Sequence, residues 1–270
     1  RAVWFEEGDG VALLDEEGLL AVIPGWAEAD RGLPGYSRDA IGRSAYAWAL
    51  DDVAAQLWPR VVHAEAYWSW RCAPGAWRSV QRSVFNHLRT LGPAGHYWDV
   101  SDGYDPLIRV SERPPTPTRP YTILSTVGMC GQRMPTLDRY MADTSAYARI
   151  ELALATTAPA HLAARIFRWL GTFPWRAVTW FGPGHSVKWL DNGEDSPLRG
   201  NHTAVLLVSD PGVLAGPPPP DLSGLTFHGD PVNWLWVIPI TRPEHLFAKE
   251  HDAETLIAKL AAEGRSWILG

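Results

Sequence analysis

The stretch Tyr147-Ala-Arg-Ile-Glu-Leu-Ala-Leu-Ala155 decides the fold. Its apolar residues recur every second position, so Ala148, Ile150, Leu152 and Leu154 share one face of a strand and Arg149 and Glu151 share the other. Should the charged face be covered as well, both charges must be satisfied by each other or by neighbours, because an isolated buried charge is costly. Two readings stay open: a buried ion pair that fixes strand register, or a charged anchor on the floor of a binding cleft.

On either side of this strand the pattern continues. Residues 203–208 and 232–238 are continuous apolar runs, as expected of strands covered on both faces. Residues 107–110 and 121–127 read as strands around Arg113-Pro114-Pro115-Thr116-Pro117-Thr118, whose prolines cannot sit in central strands. Helical spacing covers 76–91, opened near Pro74 and closed by Gly92, then 159–170 and 252–263. Residues 217–220 form a stiff proline spacer, and 267–269 a closing edge strand. Strands and helices alternate irregularly, which predicts α+β, with a mixed central β-sheet flanked by helices over 81–270.

Residues 1–80 read as an N-terminal α/β accessory region of hairpins plus a helix. Apolar runs at 3–5, 11–14 and 19–23 are punctuated by Gly8-Asp9-Gly10 and Glu16-Glu17-Gly18. A loop follows at 32–35. A helix is predicted from Ser44 to Trp58, stopped by Pro59, with a strand over 61–70. Trp4, Trp48, Trp58, Trp68, Trp70 and Trp77 call for burial.

Composition narrows the function. With 270 residues, 46% hydrophobic and 20% charged, the chain is too apolar to be wholly disordered, and no segment reaches the ~20 apolar residues of a membrane span. A net charge of −6 argues against direct nucleic-acid binding, which needs concentrated basic surface. Two cysteines, Cys72 and Cys130, cannot make a disulfide framework, and neither secretion nor lipidation signals are seen, so a cytoplasmic protein is expected. Fifteen tryptophans are enough both to fill cores and to line a cleft.

No phosphate loop, dinucleotide fingerprint, nucleophile elbow or paired-histidine zinc helix is present, and no cofactor or metal is implied. Gly182-Pro183-Gly184 lacks one amide donor and a following Lys-Ser/Thr, so it is no phosphate cradle. Cys130, after Gly128-Met129 at a strand end, is a buried small hydrophobe or, with a nearby cation, a nucleophile. A catalytic reading would make His185 a general acid/base, Glu151 or Arg149 its orienting partner and Cys130 the nucleophile, in a cleft walled by tryptophans that binds a small molecule.

Four segments in order are more specific: Tyr121-Thr-Ile-Leu-Ser-Thr-Val-Gly-Met129, Ala148-Arg-Ile-Glu-Leu-Ala-Leu154, Phe181-Gly-Pro-Gly-His-Ser-Val-Lys-Trp189 and Val237-Ile-Pro-Ile-Thr-Arg-Pro-Glu244. Their order and spacing are similar to the Suppressor of Fused domain family, which has an animal signalling branch and many bacterial members. The resemblance runs from about Ser83 to Leu269. It implies a protein-binding role. The animal relative restrains a transcription factor by holding an extended peptide between two domains, and bacterial members are often proposed to be immunity proteins of polymorphic toxin systems. Here the second, peptide-clamping domain is not found, and the aromatic and acidic groups used on the animal peptide are not seen around Leu124 and Met134-Pro135. Transcription-factor binding is therefore not carried over. What the resemblance implies is a scaffold with a cleft near Gly128, Met129 and His185; taken with the charged anchor read from the strand, the binding residues expected are Gly128, Met129, Arg149, Glu151, His185 and Trp189, for a protein partner such as a toxin or effector. Twelve acidic residues against seven arginines in 1–80 would steer a basic partner. The sequence leaves the oligomeric state open.

Overall fold

The structure, a computed structural model, describes residues 1–27, 35–101, 103, 105–189, 198 and 201–270. The expected loop at 32–35 falls, except for Gly35, outside the described residues. The chain divides into two compact units: 1–79 with 132–144 and 174–180, and 80–131 with 145–173 and 181–270.

In the first unit, the strands β1 (Ala2–Trp4), β2 (Val11–Asp15), β3 (Gly18–Ile23), β4 (Tyr36–Ser37) and β5 (Trp48–Ala49) lie side by side in chain order. All neighbours are antiparallel except the parallel pair β4–β5. Alternation in β2 buries Ala12 and Leu14 while Leu13 and Asp15 face out. These join Phe5, Val22, Leu57, Val61 and Ala64 in one apolar cluster.

The helix α1 (Ala54–Arg71) corrects two expectations at once. Pro59 lies inside it rather than ending it, and residues 61–70 are helical, not a strand. The buried residues Leu57, Val61, Ala64 and Tyr67 stand four, three and three apart, one stripe of an α-helix. Burying that stripe outweighs the bond that Pro59 cannot donate and the β-branched pair Val61-Val62. Trp4 and Trp58 are not buried: they are 55% and 46% exposed.

Glu6, Glu7 and Asp9 were expected among the acids of a steering surface, but they are spent internally. Glu6 takes His63 Nε2 at 2.7 Å and the Arg133 amide at 3.0 Å, Glu7 lies 3.7 Å from Arg60, and Asp9 accepts from the Thr136 amide at 2.6 Å. Burial raises the carboxyl pKa of both Glu7 and Asp9.

The second unit follows α2 (Ala76–His87), which spans the division, with β6 (Tyr97–Asp99), β7 (Arg109–Arg113), β8 (Thr122–Val127) and β9 (Arg149–Thr156). The expected helix at 159–170 is two pieces, α3 (Ala160–Ala163) and α4 (Arg165–Leu170); the short α5 (Phe173–Arg176) that follows lies, from Pro174 on, in the first unit. Then come β10 (Ser186–Lys188), β11 (His202–Val208), β12 (Thr226–Phe227), β13 (Asp230–Thr241), α6 (Arg242–Glu250) and α7 (Ala253–Ala262). The sheet runs β10-β11-β13-β9-β8-β7-β6, with β12 hairpinned onto β13. Only β13–β9 is parallel, so the fold is α+β with a mixed sheet flanked by helices, as the sequence predicts.

Thr241 and Glu244 form a reciprocal capping box at the start of α6, and Asp252 caps α7. Leu269 pairs with Thr156 as an isolated bridge, donating to the Ala155 carbonyl at 2.9 Å and accepting from the Thr157 amide at 2.8 Å, so the expected closing strand at 267–269 is reduced to one bridge on β9.

Candidate functional site

All eight residues of β9 are buried, so both of its faces are covered and its two charges must be satisfied from within. They are not satisfied by each other. Two apart on a strand, each side chain reaches past its neighbour to a different group, which corrects the expected ion pair. Glu151 Oε1 accepts from the amides of Gly128, at 2.9 Å, and Cys130, at 3.2 Å, while Oε2 accepts from the Thr126 hydroxyl at 2.5 Å. Thr126 Oγ1 in turn accepts from the Leu152 amide at 2.7 Å. Arg149 donates through Nε to Asp230 at 2.8 Å and through Nη1 to the Cys130 carbonyl at 3.0 Å, and its guanidinium stands 5.7 Å from the Phe227 ring.

The turn these residues hold begins at Gly128, whose φ of 128° favours glycine, and continues as the single 3-10 turn Met129–Gly131. Gly131 leaves only 3.3 Å between an added Cβ and Val80 of α2, so the turn is packed as well as clamped. Acid and base therefore grip opposite ends of one peptide segment: Glu151 takes its N–H groups and Arg149 its carbonyl.

Electrostatics follow from this burial. Desolvation raises the Glu151 pKa, opposed by the Thr126 hydroxyl, the two amides and the Cys130 thiol. Burial, and then the adjacent Glu151, push the Cys130 thiol well above its ordinary range. A thiol held in its neutral form is a poor nucleophile. Met129 is fully buried beside it.

His185 lies elsewhere. It precedes the edge strand β10, where its Nδ1 accepts from the Gly182 amide at 3.3 Å and its carbonyl from the Leu207 amide at 2.9 Å. Two strands, β11 and β13, separate β10 from β9, about 14 Å at ordinary sheet spacing. Trp189 is also buried at that edge, edge-on to Trp169 at 5.8 Å. The structure thus brings together Gly128, Met129, Cys130, Arg149 and Glu151 but not His185 or Trp189, and the His185–Glu151–Cys130 arrangement is not assembled. Sequence reasoning missed Thr126 and Asp230. Asp230 sits between Gly229 and Pro231 and reads as turn punctuation; the only signal for it is the counter-charge that a buried Arg149 requires.

A second feature of this unit is open. Residues 209–225 swing out between β11 and β12 and border a groove of about 920 Å³ against β13. Leu225, Trp234 and Trp236 line it together with Pro219, and Asp210 and Asp221 stand on its rim. Hydrogen bonds from the Ser223 amide and hydroxyl lower the Asp221 pKa. Among the described residues no three His, Cys, Asp or Glu side chains gather as a metal site needs, and no helix is long and apolar enough to cross a membrane.

The family model for Suppressor of fused protein (SUFU) matches residues 103–269, well over half of the chain. The chain belongs to the Suppressor of fused family. Solved structures resemble it across most of its length. One is the Sufu–Fu complex, 14% identical, with a TM-score of 0.50 over 70% of this chain and 88% of the other. At that identity the likeness is one of fold. A SUFU (suppressor of fused protein) homolog from Neisseria gonorrhoeae is 14% identical, with a TM-score of 0.46 over 71% of this chain and 93% of its own. Drosophila Suppressor of Fused is 14% identical with a TM-score of 0.47, and the match covers 70% of this chain and 49% of the Drosophila chain. No curated protein matches the chain significantly.

Proposed function

We propose that this Suppressor of fused family member is a protein-binding module, and more narrowly a bacterial immunity-type protein that occludes a toxin or effector in the cytoplasm. One observation carries the choice of binding over turnover. Arg149, Glu151 and Cys130, which sequence reading assigned to chemistry, are buried, the two charged groups bonded to main chain, and the half-buried His185 stands three strands away, whereas the open groove in the second unit carries apolar, proline and acidic groups suited to contact. A protein partner also accords with the Sufu–Fu complex, in which a relative of this fold is bound to another protein. The binding residues named from the sequence act, in this reading, as supports: Arg149, Glu151, Gly128 and Met129 make a rigid platform, with His185 and Trp189 at the far edge of the same sheet.

Co-expression with the product of an adjacent toxin-like gene tests the immunity reading, with growth and co-purification as readouts. Rescue of growth together with a stable complex is expected. Toxicity that persists despite soluble expression of both proteins overturns it.

A further inference from the structure

The groove beside β13 borders a break in the sheet. β11 pairs with β13 only as far as Val208 opposite Trp236, and β12 pairs with it only at Asp230 and Pro231. Between these limits the Val232 amide still donates to the Leu225 carbonyl at 2.8 Å. N–H and C=O groups on a strand point to alternate edges with period two. The Val232 amide therefore fixes the direction of the Trp234 pair: both groups face the groove, away from β9. Asp210, which would stand opposite Trp234 if β11 continued, turns off with the 209–225 excursion, and among the described residues no main-chain bond reaches Trp234 from that side. The distance from Val232 to Trp236 is about 13 Å along the strand, room for an extended segment of two or three residues.

The surroundings select the chemistry of that segment. Leu225, Trp234, Trp236 and the proline rim supply apolar contact, the rim charges are the carboxylates of Asp210 and Asp221, and among the described residues no Lys or Arg lines the groove; His87 stands behind it, stacked on Trp234 at 5.9 Å with its Nε2 2.8 Å from the Leu222 carbonyl. Asp210 uses Oδ1 to accept from the Gly212 amide at 2.8 Å, and its second oxygen has no protein partner among the described residues. A cation flanked by apolar side chains complements this set.

We propose that the groove binds a short extended segment of a partner protein carrying a Lys or Arg between apolar residues, with its main chain exchanging two hydrogen bonds with Trp234. This rests on the protein-binding reading above and names the part of the partner that is held. Affinity comes from the main-chain pair and selectivity from the rim charge.

A phage-displayed library of random linear dodecapeptides, panned on the full chain, supplies the probe. The expected result is enrichment of basic–apolar sequences whose synthetic peptides slow hydrogen exchange of the Trp234 amide at least about tenfold. Their affinity should fall about tenfold in the Asp210→Asn/Asp221→Asn double variant, which changes exposed rim groups only. No enrichment, enrichment of acidic peptides, or binding that leaves the Trp234 amide unprotected overturns the proposal. The two readings fail separately. A partner neutralised equally by the double variant and the parent, with Trp234 unprotected in the complex, removes the groove and leaves protein binding. Peptides that protect Trp234 without any toxin being neutralised leave the groove and remove the immunity role.

Discussion

Replacing Glu151 by alanine deletes three acceptor bonds in a site without water access. The Thr126 hydroxyl has somewhere else to go, since the Leu152 carbonyl lies 3.4 Å from its oxygen. The amides of Gly128 and Cys130 do not. Each buried N–H left without an acceptor costs about 1–3 kcal/mol, so the pair costs about 2–6 kcal/mol. Removing a carboxyl whose burial was itself unfavourable offsets part of this, leaving a net loss of about 2–4 kcal/mol. Glu151→Gln keeps a carbonyl for both amides and turns its NH₂ toward Thr126 Oγ1, so it should cost less than about 1.5 kcal/mol. Because the chain has two compact units, one global transition is not a safe measure. Native-state hydrogen exchange at residues 128–131 under rising urea reads the second unit locally. A loss of about 2 kcal/mol or more corresponds to opening at least roughly thirtyfold more frequent in the alanine variant. Equal exchange in the alanine and glutamine variants, or acceleration below about tenfold in the former, would refute the clamp as the reason Glu151 is buried.

Ellman's reagent should titrate one thiol in the native protein, the exposed Cys72, and two in denaturant, because Cys130 is buried and held neutral; two native thiols reacting at similar rates would contradict this. Pro59→Ala should stabilise the first unit by about 1–3 kcal/mol, since the ring removes a bond within α1 and crowds the preceding turn, and urea unfolding of the parent and variant measures it. Glu7 and Asp9 have folded-state pKa values raised above their unfolded ones, so their contribution to stability is complete below the ordinary carboxylate range and is lost as pH rises through the raised values. Thermal melts across that window should show the first unit losing stability with rising pH, and a Glu7→Gln/Asp9→Asn variant should flatten the slope.

Much of the second unit was legible because its signals are local. The two-residue period of Ala148–Leu154 gave β9, and the runs ending at Val208 and Ile238 gave strands covered on both sides, since covering leaves no need for alternation. The first unit was less legible where local chemistry and tertiary packing disagree. Val61, Val62, Tyr67, Trp68 and Trp70 are residues of strand type, and Pro59 looks like a stop, yet the stripe that packs is helical. For the candidate site, the Gly128-Met129 turn entered only through the family resemblance, while the sequence pointed to Arg149 and Glu151, because charges on an apolar strand must be answered. It could not say by what. Asp230 is 81 residues from Arg149 and Thr126 is 25 from Glu151, distances that only the strand order closes. The same order moved His185 away, since nearness along a motif list carries no information about rank within a sheet.

The unpaired stretch of β13 lies in the interior of a sheet, bounded by β11 at one end and β12 at the other, rather than along an outer margin. Open margins recruit further copies without limit, which is how strand-rich proteins polymerise. A gap closed at both ends along the strand takes two or three residues and no more, so the long strand of a second copy cannot zip onto it as it could onto an open margin.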